Sequence, residues 1–158
     1  MMNRKEYQDG LPKKRTSAGM LLFDKKGRLL IVQPRYKKTW EIPGGTVEAN
    51  ESPRQAAIRE VEEELGLSCE PTRLLAVDFS DENKSRTESM NFIFLGPVLS
   101  AKEVSAIRLP KSELLSYKLL PPKKAVKFLN RKLRRRVLGC LKVVDNKLTL
   151  YMEEQQPI

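Results

Sequence analysis

The stretch GTVEANESPRQAAIREVEEELGL, Gly45–Leu67, contains an acidic segment with clearly marked ends. Ser52 is a favourable N-cap, a proline follows it, and Gln55 completes a capping-box pattern. Gly66 stands where a left-handed C-cap is favoured. Local chemistry alone therefore predicts a helix over residues 53–65.

The second half of this helix, REVEEELG, carries four glutamates in a chain whose formal net charge is +10. Like charges one helical turn apart destabilise a helix. At about 100° per residue, Glu60, Glu63 and Glu64 share one face. The apolar stripe that we expect to face the core lies elsewhere and consists of Ile58, Val61 and Leu65. The acidic face is then either a solvated surface or a site for a divalent cation, which prefers oxygen ligands.

The segment before the helix favours the metal interpretation. WEIPGG, residues 40–45, places two glycines ahead of an acidic loop in which Glu51 adds another carboxylate. Glycines let the backbone turn tightly and approach a ligand closely. A glycine turn, an acidic loop and an acidic helix together predict a site for phosphate and metal.

Composition limits the chemistry that is available. The chain has 158 residues, of which 40% are hydrophobic and 32% charged, as in a globular domain with its own core. It has no apolar run of membrane-spanning length, no signal-peptide pattern and no metal-type cysteine pair, so we expect a cytoplasmic protein without a membrane partner. It contains no histidine. Acid–base or metal chemistry must therefore use carboxylates, lysine, tyrosine, cysteine or backbone oxygens.

The remaining pattern predicts mixed strands and two helices in one domain. We expect strands at residues 17–24, 29–34, 73–80 and 90–100. A second helix is expected over residues 120–137, followed by a terminal hairpin over 140–152 that turns at Asp145–Asn146. Residues 1–15 are predicted to form a basic N-terminal arm, and residues 16–158 a single α/β or α+β domain.

The opening stretch also resembles the Nudix box of the MutT-like pyrophosphohydrolases, G-x5-E-x7-R-E-U-x-E-E-x-G-U, where U is aliphatic. Every fixed position is matched, by Gly45, Glu51, Arg59, Glu60, Val61, Glu63, Glu64, Gly66 and Leu67. The resemblance extends over about residues 16–80 through the preceding strands and the WEIPGG loop. It implies the α/β fold class, specifically an α/β/α sandwich with a mixed β-sheet.

The resemblance further implies an enzyme that hydrolyses a nucleoside diphosphate linked to another group. By this likeness Glu60, Glu63 and Glu64 are catalytic and bind Mg²⁺ or Mn²⁺ together with the carbonyl of Gly44. Four residues of the box are expected to be structural, namely Gly45, Glu51, Arg59 and Gly66. The general base stays open between Glu60 and Glu64 and a loop carboxylate, for which the candidates are Asp81, Glu82 and Glu88.

The substrate is less well defined by the sequence. Arg35 and Trp40 are the expected substrate-binding residues, because an arginine can contact phosphates and an aromatic ring can stack on a base. Lys37 and Lys38 are further candidates for the phosphates, and Tyr36 is the alternative to Trp40 for stacking. Trp40 has the alternative role of core packing. The sequence indicates neither the base, nor the second group of the substrate, nor the oligomeric state.

A basic run, NRKLRRR, Asn130–Arg136, lies within the second predicted helix. One interpretation is a solvated amphipathic helix with a buried side made of Ala125, Phe128, Leu129 and Leu133. The other is a phosphate-binding surface, which gives an alternative function as a Nudix-fold protein that binds RNA or processes its 5′ end. We favour the solvated helix and a small nucleotide as the partner, because no RNA-recognition motif accompanies the run.

Overall fold

The computed structural model describes residues 3–81 and 86–158. Its centre is a mixed β-sheet of eight strands within these ranges, in the order β6–β2–β1–β5–β4–β7–β8, with β3 paired to β1. The strands are β1 Arg15–Asp24, β2 Leu29–Pro34, β3 Gly44–Thr46, β4 Arg73–Ser80, β5 Ser89–Leu99, β6 Leu114–Leu120, β7 Leu150–Glu153 and β8 Gln156–Pro157. The helices are α1 Arg4–Asp9, α2 Pro53–Leu65, α3 Ala101–Ala106, α4 Pro122–Ala125 and α5 Arg131–Leu141, with a 3₁₀ turn at Val126–Phe128.

Both faces of the sheet are buried, which confirms the predicted α/β/α sandwich. Successive side chains of a strand point to opposite faces, so Met20 and Leu22 of β1 pack into the core beneath α2. Leu21, between them, packs into a second core beneath α4 and α5. The continuous apolar run of β1 is the expected pattern for a strand covered on both sides.

The acidic helix α2 forms where the sequence predicts it. Ser52 and Gln55 make the reciprocal capping-box bonds, and Gly66 ends the helix with φ 68°. Val61 and Leu65 are fully buried. Ile58 is only half-buried, because the helix is rotated so that its two alanines also face the sheet.

The predicted second helix over residues 120–137 is wrong as a continuous element. It breaks at Leu129, which is buried in an extended conformation with φ −76° and ψ 151° and forms a bridge to Trp40. Asn130 then caps a new helix by accepting a hydrogen bond from the backbone N–H of Leu133. Burial of Leu129 against the neighbouring segment outweighs the local helical preference, and α5 continues to Leu141.

The predicted terminal hairpin over residues 140–152 is also wrong. Asp145 and Asn146 lie in turns that follow α5, and β7 pairs in parallel with β4 instead of folding back on the preceding segment. The hairpin of this region is β7–β8, which turns at Glu154 and Gln155 with φ 50° and 63°. The side chain of Arg73 donates to three carbonyls of the connecting segment, those of Val143, Val144 and Leu148.

Strand β6 and helix α3 are among the elements that have no counterpart in the predictions. Strand β6 pairs with β2 over its whole length, and the short helix α3 begins at an N-capping Ser100. In the predicted N-terminal arm, α1 is capped by Asn3 and buries none of its residues, and β1 begins at Arg15. Within the described ranges, no helix has the length and apolar character needed to cross a bilayer.

A substitution at Asn130 distinguishes a helix that begins after residue 130 from one that continues through it, because the two predict opposite changes in stability. Asn130→Ala removes the N-cap of α5 and is expected to lower the free energy of unfolding by about 1 kcal/mol. In a continuous helix the same change would raise stability, because alanine is the better helix former. Urea denaturation measures the difference, and Asn130→Ser is the control that keeps a capping oxygen. A stabilised Asn130→Ala protein would contradict the break.

Candidate active site

Arg59 organises the carboxylates of α2 and of the loop before it. Its guanidinium donates to Glu51 through Nε at 2.8 Å and Nη2 at 3.1 Å. It also donates to Glu60 and Glu63 at 2.9 Å each, and to the carbonyl of Thr46 at 3.0 Å. The hydrogen bonds from Arg59 hold the pKa of Glu51 below its usual value. One cation therefore offsets the repulsion among three carboxylates and ties the acidic loop to the helix.

Glu64 is the most deeply placed carboxylate of the helix face. Burial raises its pKa to about 8, although the backbone N–H of Gly44 donates to it at 3.1 Å. Burial also raises the pKa of Glu60, against the opposing effect of Arg59. Two carboxylates held in surroundings that disfavour their charge are poised to gain from a cation.

The glycine pair makes room for these carboxylates. Gly44 has φ 149°, and a Cβ there would lie 2.4 Å from the carbonyl oxygen of Ala18. A Cβ on Gly45 would lie 2.2 Å from Oε1 of Glu60. Any side chain at either position would therefore displace the neighbouring strand or the carboxylate.

Glu60 and Glu64 line a cavity together with a third carboxylate, Glu113, which the sequence did not reveal. We call it the carboxylate cavity; its lining residues are Pro34, Tyr36, Gly44, Gly45, Thr46, Glu60, Glu64, Glu113 and Leu114. Glu113 reaches it because it directly precedes β6, which pairs with β2. No sequence signal pointed to it, since β6 itself was not predicted.

The third predicted metal ligand, Glu63, lies outside this cavity. Its side chain is 55% exposed and is held by Arg59. Across residues 3–81 and 86–158, no three His, Cys, Asp or Glu side chains are gathered closely enough to form a metal site as they stand. The donor chemistry nevertheless fits Mg²⁺ or Mn²⁺, because Glu60 and Glu64 bring carboxylate oxygens to a cavity that also borders the backbone of Gly44.

A second cavity adjoins the first and shares Tyr36, Gly44, Gly45 and Thr46 with it. We call it the basic cleft because its charged lining residues are mostly cationic: Arg15, Lys37, Arg86, Lys132 and Arg136, with Glu41 and Asp81. Lys37 pairs with Glu41 at 2.6 Å. A cleft of this charge beside a carboxylate cavity suits a substrate that carries phosphates.

The two predicted substrate-binding residues do not line either cavity. The side chain of Arg35 is exposed and donates to the carbonyl of Lys111. Trp40 is 7% exposed and packs edge-on against Phe128, with ring centroids 5.8 Å apart. Trp40 therefore has its alternative role in the core, and Tyr36, which is 75% exposed, is the aromatic residue at the junction of the two cavities.

The loop candidates for the general base are spread apart. Asp81 lines the basic cleft, and its backbone N–H donates to Glu154. Glu88 pairs with Lys14 at 2.5 Å. Glu82 lies outside the described residues. Neither Asp81 nor Glu88 is among the residues that line the carboxylate cavity.

The basic run on α5 is only partly a solvated face. Arg134 donates to the carbonyls of Val126, Lys127 and Leu129, and so fastens the 3₁₀ turn to the helix. Arg136 is buried and forms an ion pair with the fully buried Asp78 at 2.6 Å. The exposed cations of the run are Arg131, Lys132 and Arg135, together with the outer part of Arg134.

Curated proteins are similar to parts of this chain. An RNA pyrophosphohydrolase of Hydrogenovibrio crunogenus is 38% identical over 61 residues, which cover 39% of this chain and 37% of that protein. An 8-oxo-dGTP diphosphatase of Proteus vulgaris is 38% identical over 78 residues, or 45% of this chain and 70% of that protein. The chain thus spans little more than a third of the first relative and seven-tenths of the second.

Solved structures share the fold. The MutT protein of Methanosarcina mazei superposes with a TM-score of 0.67 at 22% identity, covering 88% of this chain and all of that one. A UDP-X diphosphatase superposes with a TM-score of 0.71 at 17% identity over 96% of this chain and 76% of that one. The sequence profile of the NUDIX domain matches residues 13–139. This match spans most of the chain, and the chain therefore belongs to the NUDIX family.

Proposed function

We propose that this protein hydrolyses the diphosphate bond of a nucleoside diphosphate linked to another group, with Mg²⁺ or Mn²⁺ as cofactor. The observation that carries the proposal is Glu64, a half-buried carboxylate with a raised pKa that shares a cavity with Glu60. Such a group is costly for a fold to keep without a cation. The adjoining basic cleft supplies the complementary surface for the phosphates.

Glu60 and Glu64, with the carbonyl of Gly44, would hold the cation, and Glu63 would join them by releasing Arg59. A bound divalent cation neutralises diphosphate charge and lowers the pKa of a coordinated water. Arg59 positions this set, because it braces Glu60 and Glu63 against the loop that carries Glu51.

The general base accepts the proton of the attacking water. Glu60, Glu64 and Glu113 all face the carboxylate cavity, so each lies beside the space in which that water would react. Glu113 is the candidate added by the tertiary structure, and it is not held by Arg59 as Glu60 is. The loop candidate Asp81 faces the basic cleft instead.

The relatives support a phosphate-anhydride substrate without choosing among them. Their names describe an RNA pyrophosphohydrolase, an 8-oxo-dGTP diphosphatase and, in Homo sapiens, a diphosphoinositol polyphosphate phosphohydrolase that is 42% identical over 59 residues. These substrates differ in size and in base, but each has linked phosphates. What they have in common agrees with a carboxylate cavity beside a cationic cleft.

Processing of an RNA 5′ end is a second candidate function, which one feature of α5 favours. Lys132 and Arg136 line the basic cleft, whereas Arg131 and Arg135 of the same helix are exposed outside its lining. Cations therefore continue from the cleft onto the outer surface, where the phosphates of a longer chain would meet them.

The role of Glu64 is tested by Glu64→Gln. The variant is expected to fold and to lose about 100-fold or more of its turnover, because a catalytic carboxylate is replaced by a neutral amide. Glu62→Gln is the matched control, since Glu62 is exposed on the same helix and lines neither cavity. The measurement is product release from a panel of nucleoside diphosphate derivatives with Mg²⁺ or Mn²⁺. Undiminished hydrolysis by folded Glu64→Gln would remove this residue from the mechanism.

The raised pKa of Glu64 predicts an unusual pH dependence of stability without metal. The group titrates at about 8 in the folded protein and near 4.5 in the unfolded chain, so between these values only the folded state keeps the proton. The free energy of unfolding should then fall as pH rises through this window, by at most about 1.4 kcal/mol per pH unit for this one group. Glu64→Gln lacks this contribution, whereas the contribution of Glu60 is common to both proteins.

Urea denaturation in a chelator at pH 5, 6.5 and 8 measures the effect. The stability of wild type relative to Glu64→Gln should decline as pH rises, and saturating Mg²⁺ should stabilise wild type at pH 8 more than the variant. Parallel curves for the two proteins would show that Glu64 is not held in surroundings that disfavour its charge.

The second candidate function is tested by reversing charge on the outer face of α5. Arg131→Glu with Arg135→Glu should weaken binding of single-stranded RNA and reduce the slope of log affinity against log salt by about 0.7 for each phosphate that the variant no longer neutralises. The control is Lys25→Glu with Lys26→Glu, which makes the same change of charge in an exposed turn. Equal decreases of affinity in the two double variants would show that net charge alone, and not the outer face of α5, accounts for the RNA binding.

A further inference from the structure

Arg136 is a charged side chain buried at the wall of the basic cleft. It is 9% exposed, yet it lines the cleft and not the carboxylate cavity. Its ion-pair partner Asp78, on β4, is completely buried. The pair is thus built into the core beside the place where substrate would enter.

The hydrogen bonds of this pair define the orientation of the guanidinium. Nε donates to Oδ2 of Asp78 at 2.7 Å, and Nη2 lies 2.6 Å from the same oxygen. The other carboxylate oxygen, Oδ1, accepts from the backbone N–H of Gln155 at 2.9 Å. Among the described residues, no fully buried side-chain nitrogen lacks a partner. Nη1, for which the described residues provide no hydrogen-bond partner, is therefore not fully buried, and Arg136 contributes to the lining of the cleft.

Stability alone gives little reason for such a pair. Removing two charges from water costs several kcal/mol, and apolar side chains of similar volume often stabilise a core as well or better. Asp78 does hold the Arg136 fork rigidly, with one edge bound and the other directed to the cleft. Preorganised donors of this kind bind a phosphate or carboxylate strongly, because little side-chain entropy is lost on binding.

The rim of the cleft near Arg136 adds further cations. Arg15 reaches the carbonyl of Thr87, and Lys132 lies 3.7 Å from the half-exposed Glu154. The carboxylates on the lining are Glu41, which pairs with Lys37, and Asp81. The cationic lining residues outnumber the anionic ones, so the cleft as a whole attracts an anion.

We propose that Arg136, with Arg15 and Lys132, forms a subsite for a phosphate of the substrate that lies beyond the reacting diphosphate. The reacting diphosphate would occupy the carboxylate cavity, and the additional phosphate would meet the guanidinium edge in the basic cleft. The proposal rests on the proposed function for the identity of the reacting group. The substrate class it names is a nucleotide with a second phosphorylated position, supplied either by a 3′-phosphate on one nucleotide or by the next linkage of an RNA chain.

Binding tests the subsite without requiring turnover. Isothermal titration in Mg²⁺ compares adenosine 3′,5′-bisphosphate with adenosine 5′-monophosphate. Wild type should bind the bisphosphate about tenfold tighter or more, the scale of one charge-assisted contact. Equal affinities for the two nucleotides would overturn the subsite.

Variants connect that preference with Arg136. Arg136→Lys keeps the charge towards Asp78 but loses the fork that reaches the cleft, so the preference for bisphosphate should fall about tenfold. Asp78→Asn with Arg136→Gln removes both buried charges together, which avoids leaving one of them unpaired. The controls are Arg54→Lys, and Arg54→Gln with Glu70→Gln, which alter an exposed ion pair that lines neither cavity. A preference retained in folded Arg136→Lys and in the double variant would overturn the assignment.

Measurements of hydrolysis test the subsite independently of the proposed function and identify the source of the additional phosphate. The substrates are adenosine 5′-triphosphate, the same nucleotide with a 3′-phosphate, and a 5′-triphosphorylated trinucleotide. A higher kcat/KM for both phosphate-extended substrates, reduced in Arg136→Lys, supports the subsite; a gain for the trinucleotide alone identifies RNA as the source. Hydrolysis of all three at equal kcat/KM would overturn the subsite and leave the proposed function intact. Absence of hydrolysis of these three substrates and of the whole panel of nucleoside diphosphate derivatives, with the binding preference retained, would contradict the proposed function alone.

Discussion

The acidic end of this fold depends on the hydrogen bonds that the guanidinium of Arg59 donates. The guanidinium bonds three carboxylates and a backbone carbonyl, and so joins α2 to the loop before it and to β3. Without it, Glu60 and Glu63 would repel each other within one turn of helix. Arg59 neutralises the outer part of the cluster, whereas Glu64 is half-buried and accepts a hydrogen bond from the backbone N–H of Gly44.

The candidate site consists of two adjoining cavities, one lined by carboxylates and the other mostly by cationic side chains. The carboxylate cavity lies between α2, β3, the end of β2 and the start of β6, and the basic cleft extends from the shared glycines along β1 towards β4, β5 and α5. Parallel pairing of β1 with β5 brings residues that are distant in sequence side by side, such as Ser17 and Asn91, whose side chains bond at 2.7 Å. A substrate with several phosphates would thus meet a cation-binding end and a cationic end in one continuous depression.

Helix α5 has basic residues that stabilise the fold and others that form its surface, and the sequence does not show which are which. Three consecutive arginines of this helix have different roles. Arg134 donates to the carbonyls of a 3₁₀ turn, Arg136 forms an ion pair inside the core, and Arg135 remains exposed. Positions 134 and 136 are therefore poor choices for testing a solvated basic surface. The net charge of +10 is a property of the whole chain. The attraction of the surface for anions depends on which cationic side chains are not already paired in the core.

Local chemistry specifies several features that are legible in the sequence. The caps of α2 are satisfied within a few residues, β1 is recognisable as a strand, and the spacing of Arg59 and the glutamates carries the family likeness. The tertiary structure alone decided the features that depend on distant partners. Leu129 breaks a helix because it is buried beside Trp40, and Glu113 reaches the carboxylate cavity only because β6 pairs with β2. Asp78 and Arg136 are 58 positions apart, and no periodicity within either segment reveals which distant charge will share the buried side of the sheet.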